Sequence, residues 1–166
     1  YKRQGMSIAR DTARSVALHD CDIKTYDRRM LAKLFYPVVN PLFNFEFCKG
    51  YYPRVAKGKM NGRVSRLLVY PFLLAMEKVV GRNDYLDFMK SFKYPLAGEF
   101  SFKSNLLSEL RISSDWGIEI AVLSEIQRSS KNIVGQLRKF TFLEKSGKSK
   151  PIMNFDRNIL NILLKK

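Results

Sequence analysis

Asp20-Cys21-Asp22 closes an apolar run, Val16-Ala17-Leu18, at the point where a buried strand would end. On an extended segment the side chains at i and i+2 point the same way, so these two carboxylates face one side. Such a pair can hold one hard divalent cation between the protein and a substrate diphosphate, because Mg²⁺ takes oxygen ligands. A departing diphosphate gains negative charge as its bond breaks, and a cation beside it takes up that charge. The same tripeptide also suits a solvated turn after a strand, so its meaning rests on what accompanies it.

Three further segments have chemistry of their own. Gly62-Arg63-Val64-Ser65 puts a guanidinium and a hydroxyl where a glycine-containing loop meets a helix start. The free amides of a helix terminus suit a phosphate or carboxylate, and Arg adds a planar, bidentate donor fork. Tyr94-Pro95-Leu96-Ala97-Gly98-Glu99-Phe100 packs a rigid turn, two small residues and a lone acid together. Asp115-Trp116-Gly117-Ile118-Glu119 sets the single Trp before a glycine and a carboxylate on the first turn of a helix. Each segment also has an ordinary reading: a capped helix with a surface Arg, a structural turn, and an acid that offsets a helix dipole.

The elements that must position these residues follow from the pattern. Ser15 to Leu18 reads as a buried strand. Thr25 or Asp27 caps a helix with Met30, Leu31, Leu34 and Phe35 on its apolar face, stopped by Pro37. Phe45, Phe47 and Cys48 make a second strand, followed by a Lys- and Gly-rich loop from Lys49 to Gly62. A helix from Arg63 carries Val64, Leu67, Leu68, Phe72 and Leu73, bent near Pro71. A short helix covers Tyr85 to Phe92, a turn and short strand Pro95 to Phe102, and a helical piece Asn105 to Leu110. A helix capped near Asp115 carries Ile118, Val122 and Ile126. Leu137 to Phe142 reads as a strand, and Phe155 to Leu164 as an amphipathic helix. The opening Tyr1-Lys2-Arg3-Gln4-Gly5 reads as a mixed polar segment. The alternation of strands and helices indicates an α/β domain.

Composition narrows the function classes. With 166 residues, 46% of them hydrophobic and 13% aromatic, the chain can build a core and is too apolar for a disordered protein. No apolar run approaches the ~20 residues of a membrane span. Cys21 and Cys48, the two cysteines, lack zinc-site spacing and point to a reduced compartment. The net charge of +15 predicts attraction to polyanions, phosphorylated small molecules included. That charge is spread along the chain, whereas nucleic-acid proteins concentrate it in a stripe or a known module.

Taken in order, His19-Asp20-Cys21-Asp22, Lys49-Gly50-Tyr51-Tyr52, Gly62-Arg63-Val64-Ser65, Pro95-Leu96-Ala97-Gly98-Glu99-Phe100 and Gly117-Ile118-Glu119-Ile120 resemble the glucosyl-3-phosphoglycerate synthase family. The resemblance runs from about residue 15 to about residue 126. It implies a GT-A-type fold, a Rossmann-like mixed sheet flanked by helices. Residues 1–166 would then form a single catalytic domain, the latter part of that fold, with 127–166 as its C-terminal strand and helix. It further implies a retaining transfer of glucose from a nucleotide-glucose donor to 3-phosphoglycerate, giving glucosyl-3-phosphoglycerate on the way to glucosylglycerate, a compatible solute. By the same resemblance Asp22 is a ligand of Mg²⁺, Mn²⁺ or another divalent cation and Asp20 faces the nucleotide ribose. Lys49 and Gly98 lie on the donor side, and Glu119 orients the donor sugar or assists the acceptor. Gly62, Arg63, Val64 and Ser65 match the acceptor-phosphate positions. A cytoplasmic homodimer, without nucleic-acid partner or membrane span, completes the expectation.

Two departures bear on that picture. A GT-A domain has roughly a hundred residues of βα units before its Asp-x-Asp, because nucleotides bind at the strand ends of that half. Here 19 residues precede Asp20; the resemblance leads us to expect part of the first half outside this sequence, with 10–15 and 144–151 as junctions where longer loops belong, a fragment or a degenerate inactive homologue being the alternative. The family also uses a histidine downstream of Glu119 as a metal ligand, whereas the one histidine here is His19, read as structural. Three alternatives stand beside this reading. They are mannosyl transfer to the same acceptor, a basic nucleic-acid-binding domain, and a non-catalytic domain derived from the transferase fold.

Overall fold

The structure, a computed structural model, describes residues 1–129 apart from 22, 24–26, 44, 52–54, 57–58, 61 and 115–116. In chain order the elements are α1 (Lys2–Thr12), β1 (Ser15–Leu18), α2 (Arg28–Val39), β2 (Phe47–Lys49), β3 (Val55–Ala56), β4 (Lys59–Met60), α3 (Tyr70–Val80), α4 (Asp84–Lys90), β5 (Phe100–Lys103), α5 (Ser104–Glu109) and α6 (Ile118–Ser129). A π-helical turn, Ser65–Val69, leads into α3.

The central sheet has the order β1-β5-β2, with β5 antiparallel to both neighbours. Val16 pairs with Phe102 and Leu18 with Phe100; Phe47 pairs with Phe102 and Lys49 with Phe100. Alternation along the strands sorts their side chains into two faces. Val16, Leu18, Phe47, Phe100 and Phe102 pack with Met6 of α1 and with residues of α4, α5 and α6. Ala17 and Cys48 face the other way, against Met30, Leu34 and Val38 of α2. Between those layers the buried Ser101 hydroxyl donates to the Leu34 carbonyl at 2.6 Å. The described fold is thus helix, sheet, helix. Phe47, Phe100 and Phe102 of the sheet and Phe88 of α4, each at 2% exposure or less, are among its largest apolar contributors, about 2–3 kcal/mol apiece.

Several local expectations hold. Asp27 caps α2, its carboxylate accepting from the Arg29 amide at 2.9 Å; the cap of α4, Asn83 accepting from the Leu86 amide at 3.0 Å, was not anticipated. Thr25, Asp115 and the segments expected over 137–142 and 155–164 lie outside the described residues.

Others need correction. The mixed polar opening is helix α1. Its only inward residues are Met6, buried, and Ala9, which packs on the core, so the apolar pattern was too thin to read. Pro37 does not stop α2, which runs to Val39. A proline in the last turn forfeits one hydrogen bond, and the Asn40 amide on the Tyr36 carbonyl at 3.1 Å still closes the end. The loop after Lys49 contains a small hairpin, Val55 opposite Met60 and Ala56 opposite Lys59.

The helix expected from Arg63 forms, but Pro71 is accommodated by the π turn. The Tyr70 amide reaches the Ser65 carbonyl, one residue beyond the α-helical partner. That widening opens the turn into which the Pro71 ring would press. The core-facing residues of this helix also differ from expectation. Leu73 is buried and Val69 and Met76 pack on the core, while Val64, Leu67, Leu68 and Phe72 are exposed. A helix apolar on more than one side does not announce which side is inward. Among the described residues no helix is long and apolar enough to cross a membrane.

Candidate active site

The sheet register builds the site. Because Leu18 pairs with Phe100, the segments that continue past these residues run side by side, and Asp20 comes opposite Gly98. Because Lys49 pairs with Phe100, Gly50 comes opposite Glu99, and the Gly50 amide donates to the Glu99 carbonyl at 2.7 Å. Gly98 therefore lies in a strand-like row between the ends of β1 and β2. It leaves no space for a side chain: a Cβ there would sit 2.5 Å from Asp20 Oδ1, 2.7 Å from Oδ2 and 2.8 Å from Cγ. The glycine is required by close approach of a carboxylate.

Two lysines sit among three acids. Lys2, on the first turn of α1, places Nζ 3.1 Å from Asp20 Oδ1 and 3.1 Å from Glu119 Oε1. Partial burial pulls its pKa down, but the hydrogen bonds to Asp20 and Glu119 outweigh this and leave it raised. Glu119 enters at the second residue of α6, after Gly117, whose φ of +95° favours glycine. Its negative charge also suits the helix N-terminus.

Lys49 is 1% exposed. Its Nζ donates to the Ala97 carbonyl at 2.6 Å and lies 5.0 Å from the centre of the Phe100 ring. Burial disfavours the ammonium and pushes its pKa down to about 7, against the pull of Glu119, Glu99 and Asp20 and with a push from Lys2. Glu99 itself is wholly buried.

The depressed lysine makes a prediction about stability. In the unfolded chain Lys49 binds its proton up to about pH 10.5, whereas in the folded chain it releases it near pH 7. Between these values the unfolded state holds more protons, so folding stability rises with pH. It is fully present above the unfolded pKa and is lost as pH falls toward 7. Urea unfolding without metal or donor should show wild type gaining on Lys49→Met by up to about 1.4 kcal/mol per pH unit between about pH 7 and 10. A stability difference that is flat with pH contradicts the buried, titrating ammonium.

The second group of expected residues stands at the entry to the π turn. Gly62 has a φ of +82°, in the left-handed region. Arg63 and Val64 are exposed, and Ser65 is 3% exposed with its hydroxyl lacking any hydrogen-bond partner among the described residues. Buried hydroxyls are nearly always bonded, so this orphan marks a place where a partner belongs.

Asp20, Lys49, Gly98 and Glu119 are thus brought together. Asp22 and Trp116 lie outside the described residues. Sequence reading missed Lys2, since an isolated lysine in a polar helix has no signature. It passed over Glu99 as a turn residue, and it could not show that Lys49 is buried. The strand alternation Phe47-Cys48-Lys49, placing Lys49 on the Phe47 face, was the available signal. Among the described residues no three His, Cys, Asp or Glu side chains cluster to hold a metal. Asp20 and Glu119 nevertheless share the Lys2 ammonium, each carboxylate 3.1 Å from its Nζ. Carboxylate oxygens of this kind are the ligands a hard cation takes.

No known family profile matches the chain. Two curated proteins do. The glucosyl-3-phosphoglycerate synthase of Persephonella marina is 44% identical over 134 residues, 80% of this chain and 33% of that protein. That of Methanococcoides burtonii is 42% identical over 118 residues, 70% of this chain and 29% of that protein. The chain therefore spans about a third of the length of these relatives. Among solved structures, the Mycobacterium tuberculosis glucosyl-3-phosphoglycerate synthase with Mn²⁺, UDP-glucose and phosphoglyceric acid superposes with a TM-score of 0.61 at 19% identity, over 91% of this chain and 47% of that one. The mannosyl-3-phosphoglycerate synthase of Rubrobacter xylanophilus gives 0.65 at 19% identity, over 97% of this chain and 45% of that one. The fold is accordingly that of GT-A glycosyltransferases.

Proposed function

We propose that this chain, a homologue of the glucosyl-3-phosphoglycerate synthases, carries part of the donor and acceptor site of an enzyme that moves glucose from a nucleotide-glucose to 3-phosphoglycerate with retention. The observation that carries the reading is the junction of motif residues around Gly98. Asp20 lies against the glycine, Lys2 links Asp20 to Glu119, and the Lys49 ammonium lies beneath. In this reading Asp20, Gly98 and Glu119 form the donor face, with Lys49 lending charge to it. Glu119 positions the sugar and stabilises positive charge as an oxocarbenium-like state develops. Asp22, with the oxygens of a diphosphate, would hold Mg²⁺, Mn²⁺ or a similar cation, which when bound takes up charge on the departing diphosphate. No separate base is required, since the leaving phosphate can accept the acceptor's proton.

Arg63 and the orphaned Ser65 hydroxyl supply the acceptor-phosphate contact, on the turn opened by Gly62 and continued by Val64. The net charge of +15 then serves anionic substrates rather than nucleic acid. Glucose is preferred over mannose because both curated relatives are named for glucosyl transfer. By the family resemblance the protein acts as a cytoplasmic homodimer whose product leads to a compatible solute.

The acceptor assignment predicts a separable effect. Arg63→Lys keeps the charge but loses the bidentate fork, so the KM for 3-phosphoglycerate should rise at least about tenfold, ~1.4 kcal/mol, with the KM for the nucleotide-glucose within twofold. Steady-state kinetics varying each substrate in turn decides it. Unchanged acceptor KM in both Arg63→Lys and Arg63→Ala removes these residues from the acceptor site.

A further inference from the structure

Lys49 cannot reach into solvent, and its ammonium is spent on a backbone carbonyl. Its Nζ bonds the Ala97 oxygen at 2.6 Å. The amide of the next residue, Gly50, bonds the Glu99 oxygen at 2.7 Å. These two bonds, from consecutive residues at the end of β2, grip the chain on either side of Gly98. The gripped residue is the one whose Cα abuts the Asp20 carboxylate, with room for no Cβ. Asp20 is in turn tied through Lys2 to Glu119 on α6. The charged groups around the lysine are Lys2 from α1, Asp20 beyond β1, Glu99 before β5 and Glu119 from α6.

We propose that Lys49 is a positioning residue, which fixes the Ala97-Gly98-Glu99 backbone as a ledge against which the Asp20 carboxylate is seated, and so acts on the donor without touching it. This rests on the functional reading above and sharpens it. There Lys49 lends charge to the donor face; here its effect passes through the Ala97 carbonyl. The physical reason is that a buried amine with one short acceptor fixes a backbone turn in a way apolar packing does not, since the bond is directional and its loss leaves the buried Ala97 carbonyl unsatisfied. A misplacement of about 1 Å at a reacting group can cost on the order of a hundredfold in rate.

The test is steady-state kinetics on the whole protein with UDP-glucose, Mn²⁺ and 3-phosphoglycerate, comparing wild type, Lys49→Met, Gly98→Ala and the double variant. Met keeps the length of the lysine stem and removes the donor. For Lys49→Met the KM for UDP-glucose should rise at least about tenfold while the KM for 3-phosphoglycerate stays within twofold. A merely structural loss would instead lower kcat through the active fraction and leave both KM values alone. Because both single changes disturb the same ledge, the double variant should be no more than about threefold worse than the poorer single one, whereas independent effects multiply. Should Lys49→Met not fold, Lys49→Arg is read the same way, since it keeps the charge and displaces the donor atom. An unchanged UDP-glucose KM, or full multiplicativity with Gly98→Ala, overturns the inference. Absence of transfer by wild type would instead overturn the functional reading itself.

Discussion

Replacing Gly98 by alanine is expected to cut kcat/KM for the nucleotide-glucose by about a hundredfold while leaving the melting temperature within a few degrees. The new Cβ would stand 2.5 to 2.8 Å from all three carboxylate atoms of Asp20, so the carboxylate must swing aside. Those atoms end a flexible side chain that is 38% exposed, which makes the movement cheap for the fold. Swinging aside breaks the 3.1 Å bond to Lys2 and loosens the link to Glu119. The expected loss corresponds to about 2.7 kcal/mol of transition-state stabilisation. Gly5 supplies the control. A Cβ there meets nothing within 4 Å, so Gly5→Ala should keep activity and gain up to about 1 kcal/mol of helix stability. Equal activity losses in both variants, or a collapse of the fold in Gly98→Ala, would count against a site role for the glycine.

The second large effect is expected at Asp22. Asp22→Asn preserves shape and removes a charge that a hard cation favours over a neutral amide. Turnover should fall by about a thousandfold, about 4 kcal/mol, with thermal unfolding unchanged. Isothermal titration of Mn²⁺ in the presence of UDP-glucose should show the matching loss of affinity. Wild-type turnover in Asp22→Asn, with the same response to added metal, would falsify the assignment of this carboxylate.

How much of this was legible in the sequence varies with the physics involved. The strand Ser15–Leu18 was readable because its apolar run ends abruptly in carboxylates, and α2 because Asp27 caps a helix whose expected apolar face includes the buried Met30 and Leu34. The motif residues were identifiable by type and order. Their convergence was not, because it depends on which strands pair. Only the register Leu18 to Phe100 puts Asp20 against Gly98, and only Lys49 opposite Phe100 aims the lysine at Ala97. Helix α1 escaped notice because two inward residues cannot print a period on a polar segment. The outward face of the helix after Arg63 was misread for the opposite reason, too many apolar residues to choose among. In both cases tertiary packing decided what local composition left open.

The central claim is that these residues serve sugar transfer to a phosphorylated acid. It is tested most directly by incubating the protein with a nucleotide-glucose, Mn²⁺ and 3-phosphoglycerate, and examining the product by mass spectrometry and by the anomeric proton signal. The account predicts one glucosyl-3-phosphoglycerate and one nucleoside diphosphate released per turnover, with the donor's anomeric configuration kept and little reaction once the metal is chelated. Failure to transfer glucose from UDP-, GDP- or ADP-glucose to this acceptor, in protein shown to be folded, would contradict it.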